Sequence, residues 1–407
     1  MDPLIHPPFT TMRPIREPRR ITVRVGDAAA EFAGTDDKAI QAALDYVARL
    51  GGGTVHLAPG VYSMRNALFP HAGVTLRGSG GETILRKTPG GTTALVREAD
   101  WFEYCVQVED PRFFCVGGGL VLTSGKAEWP QTKVFTIVAI DGNVLYLDRR
   151  TEKNFYMCED AVAQSAHSLI HGLEVHDFTV EDLVLDGNAA ENPKMNGNYC
   201  ACVFMQYCDR WSFRNVTARD FHGDGFSFQV CDDIHFESCQ ALDNATLGFH
   251  PGSGSQRPVF RDCMARGNDQ GLFWCWGACD GLAVNCTLSG NRKYGSSIGH
   301  RDTDNVMRTC SFEGNGDVGV IFRQEVNEGR TPDRNTLEDC LFRDNANYGV
   351  DIQWATRDAV IRNCVFESSD GRKQTTAIRI AAEAQGIRLE NNQFVNCEVE
   401  RAETEAR

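Results

Sequence analysis

Six cysteines recur at nearly constant intervals through the second half of the chain. The intervals between them are 24, 23, 24, 30 and 24 residues. The cysteines are Cys239, Cys263, Cys286, Cys310, Cys340 and Cys364. An asparagine follows each of the first five by five residues, and a glycine then opens a short run of alternating apolar residues. A period of this length indicates stacked structural units, none of which can bury its own apolar face alone.

The unit of the repeat is a coil of short strands. Its apolar runs alternate with period two, and Asn, Gly and Asp separate them, which is typical of strands joined by turns. We therefore predict an all-β fold, a right-handed parallel β-helix. Equivalent residues of successive coils lie roughly 4.8 Å apart in such a solenoid, so the cysteines are expected to form an inward column and the asparagines a hydrogen-bonded ladder. The longest interval holds extra residues within 326–336, which we predict to form a loop on one face.

A solenoid grows by adding coils, so the length of 407 residues predicts one elongated domain. Residues 1–30 are interpreted as an N-terminal arm with the first strand, and residues 31–407 as a single β-helix domain. A capping helix is predicted over about residues 36–50, because Asp36 follows a threonine, apolar residues recur at helical spacing and three glycines follow.

Residues 90–170 interrupt the repeat. Within them, residues 133–140 and 144–147 are rich in β-branched and apolar residues, and Asp-Gly-Asn separates them, which predicts a hairpin. We interpret the segment as an inserted β-rich lobe that packs against the early coils. The regular coils are predicted over about residues 172–397, and a polar loop leaves the solenoid at residues 186–199.

Composition narrows the classes of partner. The formal net charge of −14 argues against a nucleic-acid-binding or membrane-surface protein and, less strongly, against an unassisted polyanion substrate. The first 30 residues lack the apolar core of a signal peptide, and no stretch approaches the ~20 apolar residues of a membrane span. Six of the 16 cysteines follow the repeat and are expected to stack as thiols in the core. We predict a cytoplasmic protein, or a secreted one if a leader has been removed from the sequence.

The repeat also predicts which side chains face outward. Positions one and three after the repeat glycine are mostly apolar and should point inward, and positions two and four should face solvent. This outer face carries His, Asp, Arg, Glu and Trp on neighbouring coils, which suits a sugar-binding groove. The candidate catalytic residues are His250, His300, Asp302 and Glu325. The candidate substrate-binding residues are Asp224, Trp276, Arg301, Arg323, Asp351, Gln353 and Trp354.

Each candidate also has a structural alternative. Asp224 and Asp302 are good turn residues by themselves. Arg301, Asp302, Arg323 and Glu325 lie on adjacent coils and could form a structural ion network.

The stretch DDKAIQAALDYVARLGGGTVHLAPGVY, residues 36–62, resembles the N-terminal cap of the pectin-lyase-like superfamily. That superfamily covers polysaccharide lyases, glycoside hydrolases, epimerases and phage tailspikes. The resemblance, through the cap and the later repeats, covers most of the chain. It implies the β-helix fold and a carbohydrate-related function, without fixing the reaction.

The stretch YGSSIGHRDTDNVMRTCSFEGNGDVGVIFRQ, residues 294–324, is similar to a region of the polygalacturonases. There a Ser-Ile-Gly strand is followed one turn later by a Gly-x-Arg-Ile-Lys strand that holds a uronate. The likeness implies that Arg323 binds substrate. It also implies that Asp224 in HGDGF occupies the position of the first aspartate in the family's Asn-Thr-Asp-Gly motif. The chain departs from the family where Ala245-Thr246 replace the paired aspartates, and where His300 follows the Ser-Ile-Gly instead of preceding it.

Three classes of function follow. The first is a glycosidic-bond-cleaving enzyme, a glycoside hydrolase or an intramolecular transglycosylase, that uses Asp302 and Glu325 about 5 Å apart for retention or about 6.5 to 9.5 Å apart for inversion. The second is a uronate lyase or epimerase, in which a base removes the proton next to the carboxylate and a cation stabilises the enediolate. The third is a non-catalytic carbohydrate-binding module like a tailspike shaft.

The predicted partner is an oligo- or polysaccharide, and no nucleic acid or membrane is expected. No cofactor or metal is predicted, except calcium if the protein is a lyase. The family resemblance implies a homo-oligomer, in particular a trimer.

Overall fold

The structure is a computed structural model that describes residues 20–126, 131–325 and 327–401. Most of the arm predicted in residues 1–30 lies outside these ranges, as does residue 326 of the predicted loop. The chain forms a parallel β-helix with three faces, a helix over its first coil and a β lobe on one face. The predicted all-β solenoid is confirmed.

Helix α1 (Asp37–Arg49) closes the N-terminal end of the solenoid core. It begins at Asp36, whose carboxylate accepts a hydrogen bond from the backbone N–H of Ala39 at 3.0 Å. One side of the helix is apolar and packs on the first coil. Its buried apolar residues are Ile40, Ala43, Leu44 and Val47.

Six strands form the coils next to the helix. They are β1 (Ile21–Gly26), β2 (Phe32–Ala33), β3 (Gly53–Leu57), β4 (Gly60–Met64), β5 (Val74–Arg77) and β6 (Thr83–Lys87). Strand β1 pairs in parallel with β3, and β3 pairs with β5. The first strand therefore belongs to the first coil of the solenoid.

The lobe is a six-stranded antiparallel sheet with its own apolar core. Its strands are β7 (Thr92–Ala94), β8 (Cys105–Gln107), β9 (Gly119–Ser124), β10 (Gln131–Asp141), β11 (Val144–Leu147) and β12 (Ala161–Gln164). Strands β10 and β11 form the predicted hairpin. Val121 and Val134 of the lobe pack against the core of the solenoid, which fixes the lobe on the early coils.

The remaining strands build the regular coils. They are β13 (Ile170–Leu173), β14 (Thr179–Asp186), β15 (Val203–Gln206), β16 (Ser212–Arg219), β17 (Phe226–Gln229), β18 (His235–Glu237), β19 (Gln240–Leu242), β20 (Leu247–Gly252), β21 (Val259–Arg261), β22 (Met264–Arg266), β23 (Gln270–Phe273), β24 (Leu282–Val284), β25 (Thr287–Leu288), β26 (Tyr294–Ile298), β27 (Val306–Arg308), β28 (Ser311–Glu313), β29 (Val318–Phe322), β30 (Thr336–Glu338), β31 (Leu341–Arg343), β32 (Tyr348–Ile352), β33 (Val360–Arg362), β34 (Val365–Glu367), β35 (Thr376–Ile380), β36 (Arg388–Glu390), β37 (Gln393–Val395) and β38 (Glu398–Arg401).

One face of the solenoid carries the candidate residues. This front face is the parallel sheet β13-β15-β17-β20-β23-β26-β29-β32-β35-β38. The long strands β14 and β16 run across both other faces and bend at Asp182 and Asn215, which have φ of 53° and 51°. Later coils divide the same stretch into two strands with a left-handed residue between them, such as Ser238 with φ of 53°.

The cysteine column and the asparagine ladder are both present. The six repeat cysteines are buried, and each thiol donates to a backbone carbonyl, as Cys263 does to Arg261 at 3.2 Å. In the ladder, the side-chain amide of Asn268 donates to Oδ1 of Asn291 at 3.2 Å, and that of Asn291 donates to Oδ1 of Asn315 at 3.2 Å. The coils therefore stack in a fixed register, which sets the positions of the front-face side chains.

No helix within the described ranges is long and apolar enough to cross a membrane.

Candidate active site

The strand register aligns one outward side chain per coil along the front face. In chain order these residues are Ser227, His250, Phe273, Ser297, Ile321, Asp351 and Arg379. The alternation predicted from the sequence is correct, since Trp274 is inward and fully buried. Most of the outward row is nevertheless covered, because other side chains and a loop lie over it. Ser227, Ser297 and Asp351 are all buried.

A cleft of about 590 Å³ lies over β20 and β23. The lobe supplies Val121, Thr123, Thr132 and Gln164 to its lining. The loop between β14 and β15, residues 187–202, supplies residues 194–198 and Cys200. The coils supply Asp224, Thr246, Leu247, His250, Asp269, Phe273 and Cys275. The cleft therefore lies where the lobe, loop 187–202 and the front face meet.

A buried histidine–aspartate pair lines this cleft. Nδ1 of His250 is 2.8 Å from Oδ2 of Asp224, and the two side chains are 5% and 3% exposed. The other carboxylate oxygen of Asp224 accepts from the hydroxyl of Thr246 and, at 3.1 Å, from the backbone N–H of Leu247. Asp224 is thus held by its neighbours and fixes the orientation of the His250 ring.

The free nitrogen of His250 is Nε2. It is buried and has no hydrogen-bond partner among the described residues. Because Asp224 accepts from Nδ1, the neutral ring carries its proton on Nδ1 and leaves the lone pair on Nε2. An unpaired buried polar atom costs about 1 to 3 kcal/mol, so a ligand that hydrogen-bonds to Nε2 in the cleft would be stabilised.

Ser227 does not complete a serine-hydrolase triad with this pair. Its hydroxyl lies 3.3 Å from Nδ1 of His250, the nitrogen that already serves Asp224. The hydroxyl donates instead to the backbone carbonyl of Gly197 at 2.6 Å. A nucleophilic serine needs the nitrogen opposite the aspartate, so this arrangement does not activate Ser227.

Arg323 borders the cleft on its C-terminal side. Its guanidinium lies 4.3 Å above the ring of Phe273, and the edge of the same ring contacts His250 with centroids 5.3 Å apart. The guanidinium also donates to Ser297 Oγ at 2.5 Å and to the carbonyl of Trp274 at 2.9 Å. Arg323 therefore reaches back across two coils and is held in place beside the cleft.

Asp302 is wholly buried beneath Arg323, from which it is 3.6 Å away. Its carboxylate accepts from the backbone N–H groups of Gly277, Ala278 and Gly299 at 2.8 to 2.9 Å. Burial raises the pKa of Asp302 to about 7, while Arg323 and the backbone N–H groups act in the opposite direction. The carboxylate thus ties two turns together, and a catalytic role for Asp302 stays a prediction.

Glu325, His300 and Trp276 form a cluster that follows the C-terminal ends of the front-face strands. Glu325 accepts from the backbone N–H of His300 at 2.6 Å and lies 3.3 Å from its Nδ1. The indole of Trp276 stacks on the His300 ring at 4.7 Å and is 53% exposed. Arg301 follows with an exposed side chain, and its backbone N–H donates to Arg330 at 2.9 Å. The predicted acid/base pair Asp302 and Glu325 is therefore committed to other partners in this structure.

Three of the predicted binding residues lie apart from the cleft. Asp351 forms a bidentate ion pair with Arg379 at 2.7 and 2.6 Å, and Gln353 donates to Asp351 at 2.7 Å. Gln353 and Trp354 line a second cleft of about 390 Å³. Asp351 is four coils beyond His250 in the strand register, so these residues belong to a separate part of the front face.

Lys87 lies beneath the cleft and is 2% exposed. Its ammonium donates to Sδ of the cleft residue Met195 at 3.4 Å and lies 5.0 Å from the centroid of Phe221. It forms no ion pair with a carboxylate of the described residues. Burial lowers the pKa of Lys87 to about 8, and the neighbouring thiols Cys200 and Cys202 act in the opposite direction.

Sequence reasoning missed the contribution of loop 187–202. It identified a polar loop, but the repeat contains no information on where that loop packs. The loop brings exposed Lys194 to the cleft and places Gly197 directly against Asp224. The Asp224–His250 contact, in contrast, had a signal in the sequence, because both residues flank the repeat glycine on adjacent coils.

Gly197 is expected to be required for activity because the space beside its Cα is too small for a side chain. A Cβ on residue 197 would lie 1.7 Å from Oδ2 of Asp224, the atom bonded to His250. Gly197→Ala should displace Asp224 or the loop and lower kcat/KM on the order of 100-fold, as expected for a misplacement of about 1 Å. Gly81→Ala is the matched control, since nothing lies within 4 Å of its Cβ. Equal activity of the two variants would show that the contact does not position the pair.

No group of three or more His, Cys, Asp or Glu side chains within the described ranges is arranged to hold a metal ion. The calcium dependence considered for a lyase stays a prediction.

Comparisons with known proteins support the same fold. A family model described as a right-handed beta helix region matches residues 201–331. The A-module of the mannuronan C-5 epimerase AlgE4 of Azotobacter vinelandii is similar to this chain with a TM-score of 0.58 and 16% identity, over 91% of this chain and 96% of that one. The A-module of AlgE6 from the same organism has a TM-score of 0.53 and 15% identity, over 91% and 97% of the two chains.

A viral protein, ORF18 of Geobacillus virus E2, has a TM-score of 0.57 and 13% identity, over 92% of this chain and 62% of that one. No curated protein sequence matches the chain. At these identities the likeness concerns the fold. The chain therefore folds as a right-handed parallel β-helix.

Proposed function

We propose that this protein is a carbohydrate-active enzyme that removes the proton next to the carboxylate of a uronate residue, as a lyase or an epimerase. The observation that carries the proposal is the buried Nε2 of His250, which has no partner among the described residues, on a residue that lines the cleft. Asp224 orients the ring and stabilises the imidazolium that forms when Nε2 takes up a proton. A positioned histidine of this kind is a general base.

The carboxylates of the cleft favour proton abstraction over hydrolysis. Hydrolysis with acid/base catalysis needs two carboxyl groups that can face the glycosidic bond. The acidic residues that line the cleft in the described ranges are Asp224, which is bonded to His250, and Asp269, which lies 3.2 Å from Nζ of Lys293. The hydrolase hypothesis, with Asp302 and Glu325 as the pair, stays a prediction.

The cations around the cleft fit a uronate. Lys194 lines the cleft from loop 187–202, and Arg323 borders it behind Phe273. When His250 removes the proton, negative charge develops on the carboxylate of the sugar, and nearby cations lower the energy of that state. In this proposal Arg323 has the role that the polygalacturonase resemblance implies for it, as a substrate-binding cation.

The two reactions share the first step and differ in the second. The C–H bond next to the carboxylate breaks, its electrons enter the enediolate, and the proton moves to Nε2 of His250. In a lyase the C–O bond to the next sugar then breaks, the departing oxygen takes up a proton, and a conjugated double bond remains. In an epimerase a proton returns to the opposite side of the carbon. Two of the solved structures that share the fold are, by their names, mannuronan C-5 epimerases.

The test is an incubation with uronate polysaccharides in deuterated water. Deuterium at the carbon next to the carboxylate without chain cleavage identifies an epimerase, and ultraviolet absorbance of an unsaturated product identifies a lyase. Either activity should be absent from Asp224→Asn. New reducing ends without absorbance or deuterium would overturn the proposal and favour hydrolysis, and no reaction with any uronate polymer would favour a binding module.

The proposed partner is thus an acidic polysaccharide. A homotrimer, a cytoplasmic location and independence from nucleic acid stay predictions from the sequence.

A further inference from the structure

We propose that the enzyme acts at the end of a polysaccharide chain, because the lobe and loop 187–202 close the front-face groove on the N-terminal side of His250. This inference rests on the proposed function for the identity of the substrate. It concerns how the polymer enters the site and not which bond reacts.

The outward row of the front face is covered on the two coils before His250. On β17, Ser227 is fully buried under the loop and donates to the carbonyl of Gly197 at 2.6 Å. On β15, Phe204 is 2% exposed and stacks on His171 of β13 at 5.1 Å. A sugar chain that lies over His250 therefore cannot continue along this row past β17.

Together with loop 187–202, the lobe forms a wall on the N-terminal side of the cleft. Thr123 and Thr132, on the paired strands β9 and β10, line the cleft and lie 3.3 Å apart through their hydroxyl groups. Val121, also on β9, packs into the solenoid core. The wall is thus part of the folded core and not a separate arm.

Loop 187–202 is also fixed to the solenoid. The side chains of Asn188 and Asn192 donate to the backbone carbonyls of Lys87 and Thr88 at 3.3 and 3.2 Å. The backbone N–H of Met195 donates to His222 at 2.8 Å. The loop therefore blocks the groove in the resting structure without needing to close on substrate.

On the opposite side the cleft is lined by residues of the coils, and Arg323 lies over Phe273 and Ser297 there. Phe273 and Cys275 line it and are partly exposed, and the next residue, Trp276, is 53% exposed. An indole held by stacking on His300 offers an apolar ring to a sugar at this entrance. The polymer therefore extends from His250 toward the C-terminal coils, and only its terminal residues fit between His250 and the wall.

The test is the binding of uronate oligosaccharides to the full-length His250→Gln variant. Each oligosaccharide carries a bulky fluorophore on its reducing end in one series and on its non-reducing end in the other. We expect one series to bind like the unlabelled sugar and the other to bind at least about tenfold more weakly, a difference of about 1.4 kcal/mol. Equal binding of both series would overturn the inference. The inference would also be overturned if the unlabelled sugar bound and neither of the labelled series did.

Product analysis with the wild-type enzyme separates this inference from the proposed chemistry. With a lyase, release of products of one short length while the viscosity of the polymer stays high supports action at the chain end; with an epimerase, deuterium confined to the residues at one end of the polymer does. Products of many lengths with a rapid fall in viscosity would overturn it and leave the proton-abstraction chemistry intact. End-selective binding without deuterium uptake or absorbance would support the inference and overturn the chemistry instead.

Discussion

His250→Gln is expected to lower kcat on uronate polysaccharides by about 10³-fold, within the range attributed to a general base. Glutamine keeps a polar side chain next to Asp224 but has no group that accepts a proton near neutral pH. The fold should remain, because the contacts of the His250 side chain with Asp224, Ser227 and Phe273 are a few among the many that hold the coils together. The measurement is the steady-state rate of deuterium uptake or double-bond formation, together with thermal unfolding of both proteins.

His235→Gln is the matched control for this variant. His235 is exposed on β18, on another face of the solenoid, so the same substitution should leave the rate unchanged. A His250→Gln enzyme that retained the wild-type rate would remove His250 from the mechanism. In that case the Asp302 and Glu325 pair predicted from the sequence would become the next candidates, and Glu325→Gln the next variant.

Lys87→Met is expected to stabilise the protein by about 2 to 3 kcal/mol at neutral pH. Burial lowers the pKa of Lys87 from its ordinary value of 10.5 to about 8, and each unit of pKa corresponds to about 1.4 kcal/mol. The charged ammonium therefore destabilises the native state relative to the unfolded chain. Methionine has a similar length and no charge, so it fills the same space beside Met195 and Phe221 without this cost. Urea unfolding measures the difference.

The pH dependence of this difference provides a second check. Between about pH 8 and pH 10.5 the unfolded chain binds the Lys87 proton and the native chain does not, so wild-type stability should rise with pH in this window. The advantage of Lys87→Met should therefore be complete below about pH 8 and shrink to nothing by about pH 10.5. Lys38→Met, at an exposed position on α1, should change neither the free energy of unfolding at neutral pH nor its dependence on pH. A destabilised Lys87→Met at neutral pH would show that the ammonium makes a favourable interaction in the native state.

The repeat allowed the solenoid to be predicted in detail, because backbone geometry forces equivalent residues of adjacent coils into register. The positions of Cys263 and Asn268 in the column and the ladder follow from their spacing alone. The inward direction of Trp274 follows from strand alternation. The proximity of Asp224 and His250 follows from the same register, although the predictions from the sequence assigned them separate roles.

The remaining features depend on packing between parts of the chain that are distant in sequence. The sequence could not show that Arg323 folds back over Phe273, because a long side chain can reach either of two neighbouring coils. It could not show that the carboxylate of Asp302 accepts from three backbone N–H groups, because those groups come from turns on two coils. The contact of Gly197 with Asp224 and the burial of Lys87 also required the three-dimensional arrangement of loop 187–202.

The asparagine ladder determines how a molecule of this kind can change in length. Asn268 bonds to Asn291, and Asn291 bonds to Asn315, through the same pairs of atoms. A complete coil can thus be gained or lost with equivalent contacts formed between the new neighbours, whereas part of a coil cannot. Four coil steps separate His250 from Asp351, so each such event between them would change their separation by one strand spacing, roughly 4.8 Å. The distance between two front-face residues of the solenoid can therefore change only in steps of one coil.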